Sequence, residues 1–185
     1  MKSCSEAIMQ NNVELKLRNT LAELAHKEVE KISVSALCEK AGVSRASFYL
    51  YYKDIDDLVV KTREYIIDKL CEQLSIILNT KDGFHDDKHL IVFTEDDIAL
   101  LKGFIGKHVY WDFAIDANRI ITPRFKNKMI ERWGEAYYNE NEEKFEFMLN
   151  GGVASLCLDL LNFDRNTYIK NMQRITDIAN EFFPM

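Results

Sequence analysis

Apolar residues recur at helical spacing along most of this chain, and that rhythm predicts its elements. Val13, Leu17, Leu21 and Leu24 share one face of a first helix, predicted over about 13–27. Val34, Leu37 and Cys38 give an apolar stripe to a second helix over about 34–41, and a third covers about 45–51. Ile55, Val59, Thr62, Ile66, Leu70, Gln73 and Ile77 line a fourth helix that starts after Asp54. At 1.5 Å per residue it spans roughly 37 Å. Residues 80–93, KDGFHDDKHLIVFT, break the rhythm and read as a loop. A helix opening at Thr94 carries Ile98, Leu101, Phe104, Ile105, His108 and Trp111, and another runs from about Pro123 to Tyr138 with the proline in its first turn. Phe145, Leu149, Gly152, Leu156 and Leu160 form one face of a penultimate helix. Tyr168, Met172, Ile175, Ala179 and Phe182 form a heptad-like stripe on the last. With only two prolines and seven glycines to interrupt these patterns, the chain is expected to be all-α, with about nine helices.

Composition adds bounds. A length of 185 residues with 47% hydrophobic and 29% charged residues suits one or two globular domains. No apolar run is long enough to span a bilayer, and the opening MKSCSEAIMQNN lacks a signal peptide's apolar stretch, so no membrane role is expected and the cytoplasm is the expected location. Cys4, Cys38, Cys71 and Cys157 lie far apart and form no CxxC pair, which favours reduced thiols over a metal or disulfide role. The net charge of −6 is unevenly distributed: residues 1–53 carry +2 and residues 54–185 carry −8. Any nucleic-acid contact must then come from a local basic face, with an acidic body that discourages loose binding.

Such a face exists between Lys40 and Lys53, where three basic residues occur and no acidic one. Ser33 is placed to cap the second helix, Ala41-Gly42-Val43 make a tight corner, and Ser44 caps the third helix. Gly42 stands where the corner needs a left-handed backbone. Asp54 caps the fourth helix, with Asp56 and Asp57 in the first turn, where the helix dipole favours them. The alternative is an ordinary helical hairpin with an aromatic core contact. The run AGVSRASFYLYYKD, preceded by Val34, Leu37 and Cys38 and followed by Leu58, resembles the DNA-binding domain of TetR-family transcriptional regulators. Two departures, Glu28 where a glycine is common and Ala46 in place of a glycine or longer polar residue, leave the operator sequence open.

The resemblance implies a helix-turn-helix domain over 1–53, joined by a long helix to a helical effector-binding and dimerisation domain over 54–185. It implies double-stranded operator DNA as partner, with the third helix in the major groove. The residues expected at DNA are Ser33, Ser44, Arg45, Ala46, Ser47, Tyr49, Tyr51 and Lys53. Arg45 has the planar fork that grips guanine O6 and N7. Ala46 and Ser47 are small enough for close approach, and the tyrosine hydroxyls and Lys53 suit phosphates, which orient without reading sequence. Phe48 and Tyr52 fall on the inward side of a short helix and are expected in the core.

The resemblance further implies that the last two helices of each subunit pair in a homodimer, through Leu149, Gly152, Leu156, Met172 and Ile175. Two heads then meet successive major-groove faces roughly 34–36 Å apart, so a near-palindromic operator follows. It also implies a small, largely apolar effector among the central helices, whose binding releases a repressor from DNA; Phe104, His108, Trp111, Trp133 and Tyr137 are the candidate lining. A core role for these rings stays open. So does a second reading, in which the acidic body docks a partner protein and the chain acts as an activator or coregulator.

No cofactor, metal site or catalytic residue is expected. His85-Asp86-Asp87-Lys88-His89 has donors, but a solvated loop explains it better than a zinc site. A phosphate-cradling glycine loop, a GxSxG turn and a paired Cys/His set are all missing, which argues against an enzyme.

Overall fold

Few helix breakers in the sequence translate into long helices. The computed structural model describes residues 4–25, 32–79, 93–104, 110–162 and 164–182, with some helical side chains, Phe104 and Trp111 among them, left out. Among the described residues there are nine α-helices and no strand: α1 (Cys4–Ala25), α2 (Val34–Ala41), α3 (Arg45–Tyr51), α4 (Ile55–Asn79), α5 (Glu95–Phe104), α6 (Tyr110–Trp133), α7 (Glu135–Glu140), α8 (Glu142–Leu161) and α9 (Arg165–Phe182). No helix among them is long and apolar enough to cross a membrane.

The chain divides into two compact units, one of Met1–Ile66 with Glu95–Gly106, the other of Ile67–Thr94 with Lys107–Met185. The sequence pattern suggests a division after Lys53; compactness assigns the first half of α4 and all of α5 to the N-terminal unit. In that unit Leu17, Leu21, Leu37, Phe48 and Leu58 are fully buried. Burial is worth about 1.5–3 kcal/mol for each such side chain, and these five contribute to holding α1 to α4 together. α1 packs on α2, α3 and α5. It begins nine residues before the expected Val13 because SEAIMQNN contains neither proline nor glycine to stop it. The expected Glu28 and Lys27 lie outside the described residues.

In the second unit α6 differs from expectation. Pro123 was expected to open a helix and instead sits inside α6. An interior proline costs about 3 kcal/mol through its missing N–H and its clash with the preceding turn. Ala117, Ile121, Phe125 and Met129, spaced four apart across the proline, are all buried at 1% exposure or less, and α6 packs on α8. Burying three large side chains at about 1.5–3 kcal/mol each outweighs the proline penalty. The helix stops at Gly134, whose φ of 86° is hard for any other residue to hold. That stop splits the expected helix over 123–138 into α6 and the short α7.

The rest of the second core comes from Tyr138 of α7, from Phe145, Leu149, Val153, Leu156 and Cys157 of α8, and from Tyr168 and Met172 of α9. Phe145 and Tyr138 stack with ring centroids 5.3 Å apart and planes 13° apart. Burial pushes the Cys157 thiol up to about 12, so it is a packing group and a poor nucleophile. Cys38, Cys71 and Cys157 are all free thiols.

Candidate nucleic-acid interface

The corner between α2 and α3 is built by local hydrogen bonds that the sequence dictates. Ser33 caps α2, its hydroxyl oxygen accepting from the Ala36 N–H at 3.2 Å. At the other end Gly42 adopts φ 63°, ψ 36°, and its N–H donates to the Glu39 carbonyl while the Val43 N–H donates to the Cys38 carbonyl at 3.0 Å. This pair of bonds is the Schellman closure, and it places Ser44 to start the next helix at once. The Ser44 hydroxyl oxygen accepts from the Ser47 N–H at 3.0 Å, and the two serine hydroxyls share a hydrogen bond of 2.8 Å. The cap therefore holds the Ser47 hydroxyl in place.

On α3 the burial pattern separates a packing side from an outward side. Phe48 is fully buried and Tyr52 is 3% exposed, as expected for core residues. Arg45, Ala46, Tyr49 and Leu50 are exposed, and Ser47 and Tyr51 are half-buried. Arg45 forms no ion pair among the described residues, which leaves its guanidinium available to an anion or a base edge. The Tyr49 ring meets Phe48 edge-on at 5.4 Å, so its direction is fixed from below. Lys40 is partly neutralised by Glu23 at 3.0 Å; the positive character of the face rests on Arg45 and Lys53.

The α3–α4 corner is locked as well. The Asp57 N–H donates to Asp54 Oδ1 at 2.8 Å, and Asp57 Oδ2 reaches back to accept from the Lys53 N–H at 2.9 Å, one residue before the cap, a variant of the capping box. These bonds and Lys61 beside it hold the Asp57 carboxyl below the usual carboxylate range. Lys61 also donates to the Tyr51 carbonyl at 2.9 Å, closing the end of α3. Sequence reasoning missed Lys61, whose role depends on a contact ten residues away. Arg18 pairs with Glu14 at 3.2 Å and lies 4.5 Å from the Tyr65 ring centre.

The residues expected around an effector are less fully placed. The side chains of Phe104 and Trp111, and all of His108, lie outside the described residues, as does the His85–His89 cluster. Trp133 and Tyr137 are half-buried and both pack on Phe145, at 5.3 and 6.4 Å between ring centres. Of the residues expected at a dimer contact, Leu149, Leu156 and Met172 are at most 3% exposed and are used inside the unit's own core. Gly152 is also buried, and a Cβ there would stand 3.9 Å from Leu74. Ile175 is half-buried. It lines an apolar groove of about 410 Å³ with Phe147, Met148, Gly151, Gly152, Ser155 and Ile178. Phe147, 80% exposed, is the most exposed large apolar side chain among the described residues.

A capped pair of short helices with a tight glycine corner, presenting an arginine and small residues outward, defines a helix-turn-helix DNA-binding protein. Residues 17–62 match the family model described as bacterial regulatory proteins, tetR family. The N-terminal part of the chain is therefore similar to the DNA-binding domain of TetR-family transcriptional regulators. The match covers the helix-turn-helix and the start of α4, and none of residues 63–185. No curated protein and no solved structure matches the chain.

Proposed function

We propose that this protein is a repressor that binds a near-palindromic operator as a homodimer in the cytoplasm and is released by a small, largely apolar effector. The observation that carries the DNA contact is the outward row of Arg45, Ala46 and Tyr49 on a helix fixed at both ends by Ser44 and Lys61. Arg45 reads a guanine edge; Ser47, Tyr49, Tyr51 and Lys53 set the helix against phosphates. Ser33, capping α2, faces the backbone of the duplex. The exposed apolar side chains Phe147, Leu158 and Ile178 on α8 and α9 support the homodimer, since large apolar side chains grouped on one surface favour burial against a second copy. The effector is expected among the central helices, where the half-buried Trp133 and Tyr137 pack beside Phe145.

Selection of duplexes from a random pool, followed by gel-shift titration, tests this reading. The expected result is an inverted-repeat site bound by two chains, and an Arg45→Ala variant weaker by about 1–3 kcal/mol with relaxed preference at one base per half-site. Unchanged affinity and preference in that variant would reject the assignment of Arg45. The reading in which the acidic body docks a partner protein gives a different result in native mass spectrometry: no small molecule is retained, and none releases the operator.

A further inference from the structure

The outward apex of α3 is apolar, and this has a consequence for which bases the helix selects. It rests on the DNA-binding reading above. Phe48 marks the inward direction of α3, being fully buried. Successive residues of an α-helix turn by about 100°, so Ala46 and Leu50, two positions to either side, each lie about 160° from Phe48. They stand four residues apart, one above the other, at the crest of the helix. Both are exposed, and Leu50 is 78% exposed. Tyr49 and Ser47 lie about 80° from this crest on either flank, and Arg45, in the first turn, lies about 120° from it on the Tyr49 side.

A single exposed leucine is ordinary on a protein surface. A leucine at the crest of a helix whose first turn carries the guanine-reading arginine is differently placed, because it reaches deepest into the groove. There the apolar feature of the base edges is the C5 methyl of thymine; the donors and acceptors of guanine, adenine and cytosine offer Leu50 nothing and would lose water to it. We propose that Leu50, with Ala46 beneath it, is a specificity-determining residue that reads thymine methyl groups in each half-site, next to the base read by Arg45.

The test uses the full chain and an operator selected from random duplexes. Each thymine is replaced in turn by deoxyuridine, which removes the methyl and leaves base pairing intact, and binding is titrated by fluorescence anisotropy. The expected result is a loss of about fourfold at one or two thymines per half-site, the worth of one buried methyl. Leu50→Ala should bind the thymine operator more weakly and respond to the same replacements by less than twofold. Leu50→Gln provides a second variant, which should likewise respond by less than twofold. Circular dichroism confirms that the variants are folded. If the protein binds an operator but every deoxyuridine duplex binds as well as its parent, or if Leu50→Ala responds like the wild type, the methyl-reading role is overturned while the DNA-binding reading stands. If no duplex is bound at all, both fall.

Discussion

Tyr65 of α4 donates its phenolic hydrogen to Oδ1 of Asp97 in α5 at 2.6 Å, and Asp97 is only 4% exposed. Burial and the neighbouring carboxylate push the Tyr65 hydroxyl well above its usual range, so it stays a donor at any working pH. The Arg18 guanidinium covers the face of the same ring, which brings α1, α4 and α5 to one point in the N-terminal unit. Tyr65→Phe keeps the ring and removes one donor from a buried carboxylate. A hydrogen bond to a charged group contributes about 1.5–3 kcal/mol, so the variant should unfold at lower urea with that loss. An unchanged midpoint would show that the bond contributes nothing to stability.

Gly42 gives a second prediction, about backbone strain alone. Its φ of 63° is left-handed, and a Cβ built there meets no atom within 4 Å. Gly42→Ala therefore adds no clash beyond the residue's own, and the cost should be the left-handed penalty of about 1–2 kcal/mol. Asparagine tolerates that conformation better, so Gly42→Asn should cost less than alanine. Thermal unfolding of both variants checks the order, and an alanine variant as stable as the wild type would refute the left-handed assignment.

What the sequence revealed, and what it hid, follows from the range of the interactions involved. The caps at Ser33, Ser44 and Asp54 and the corner at Gly42 act over three or four residues, so their residue types announce them. The inward placing of Phe48 and Tyr52 follows from helical period on a short element. The Tyr65–Asp97 bond joins residues 32 apart and has no local signature. The passage of α6 through Pro123 was hidden for another reason: local propensity forbids it, and only packing across the proline overrides it. On α8 the helical spacing of apolar residues marks a face that is buried at Phe145, Leu149, Gly152 and Leu156, but periodicity cannot say whether such a face meets the chain's own core or another copy. Leu149 and Leu156 turn inward, and Phe147, off the expected stripe, turns outward.

The capping box at the start of α4 should be sensitive to acid. Asp57 has its pKa lowered in the folded state, first by the Lys53 N–H and then by Lys61. A depressed folded value means that the stabilisation is present above the unfolded value of about 3.9 and is lost as pH falls through the lower folded value. Asp57→Asn should thus be less stable than the wild type at neutral pH, with the gap closing in strong acid. Carboxyl NMR titration of the wild type should place Asp57 below 3.9. A titration at or above that value would mean the reciprocal bonds do not form in solution.

The exposed apolar side of α8 and α9 yields the last prediction. Phe147 and Ile178 both line the groove, and each is about half or more exposed in the single chain. If two copies bury this surface against each other, two Phe147 side chains enter one interface, each contributing about 1.5–3 kcal/mol. Phe147→Glu removes that gain twice and asks two carboxylates to leave water, so the dimer dissociation constant should rise at least about a hundredfold. Sedimentation equilibrium measures it directly. Because Phe147 is exposed, the single chain should keep its fold and helical content. Binding to a full operator should fall with dimerisation, whereas contact with an isolated half-site should change little, since the α3 surface is untouched. A variant that dimerises as tightly as the wild type would move the interface away from this groove.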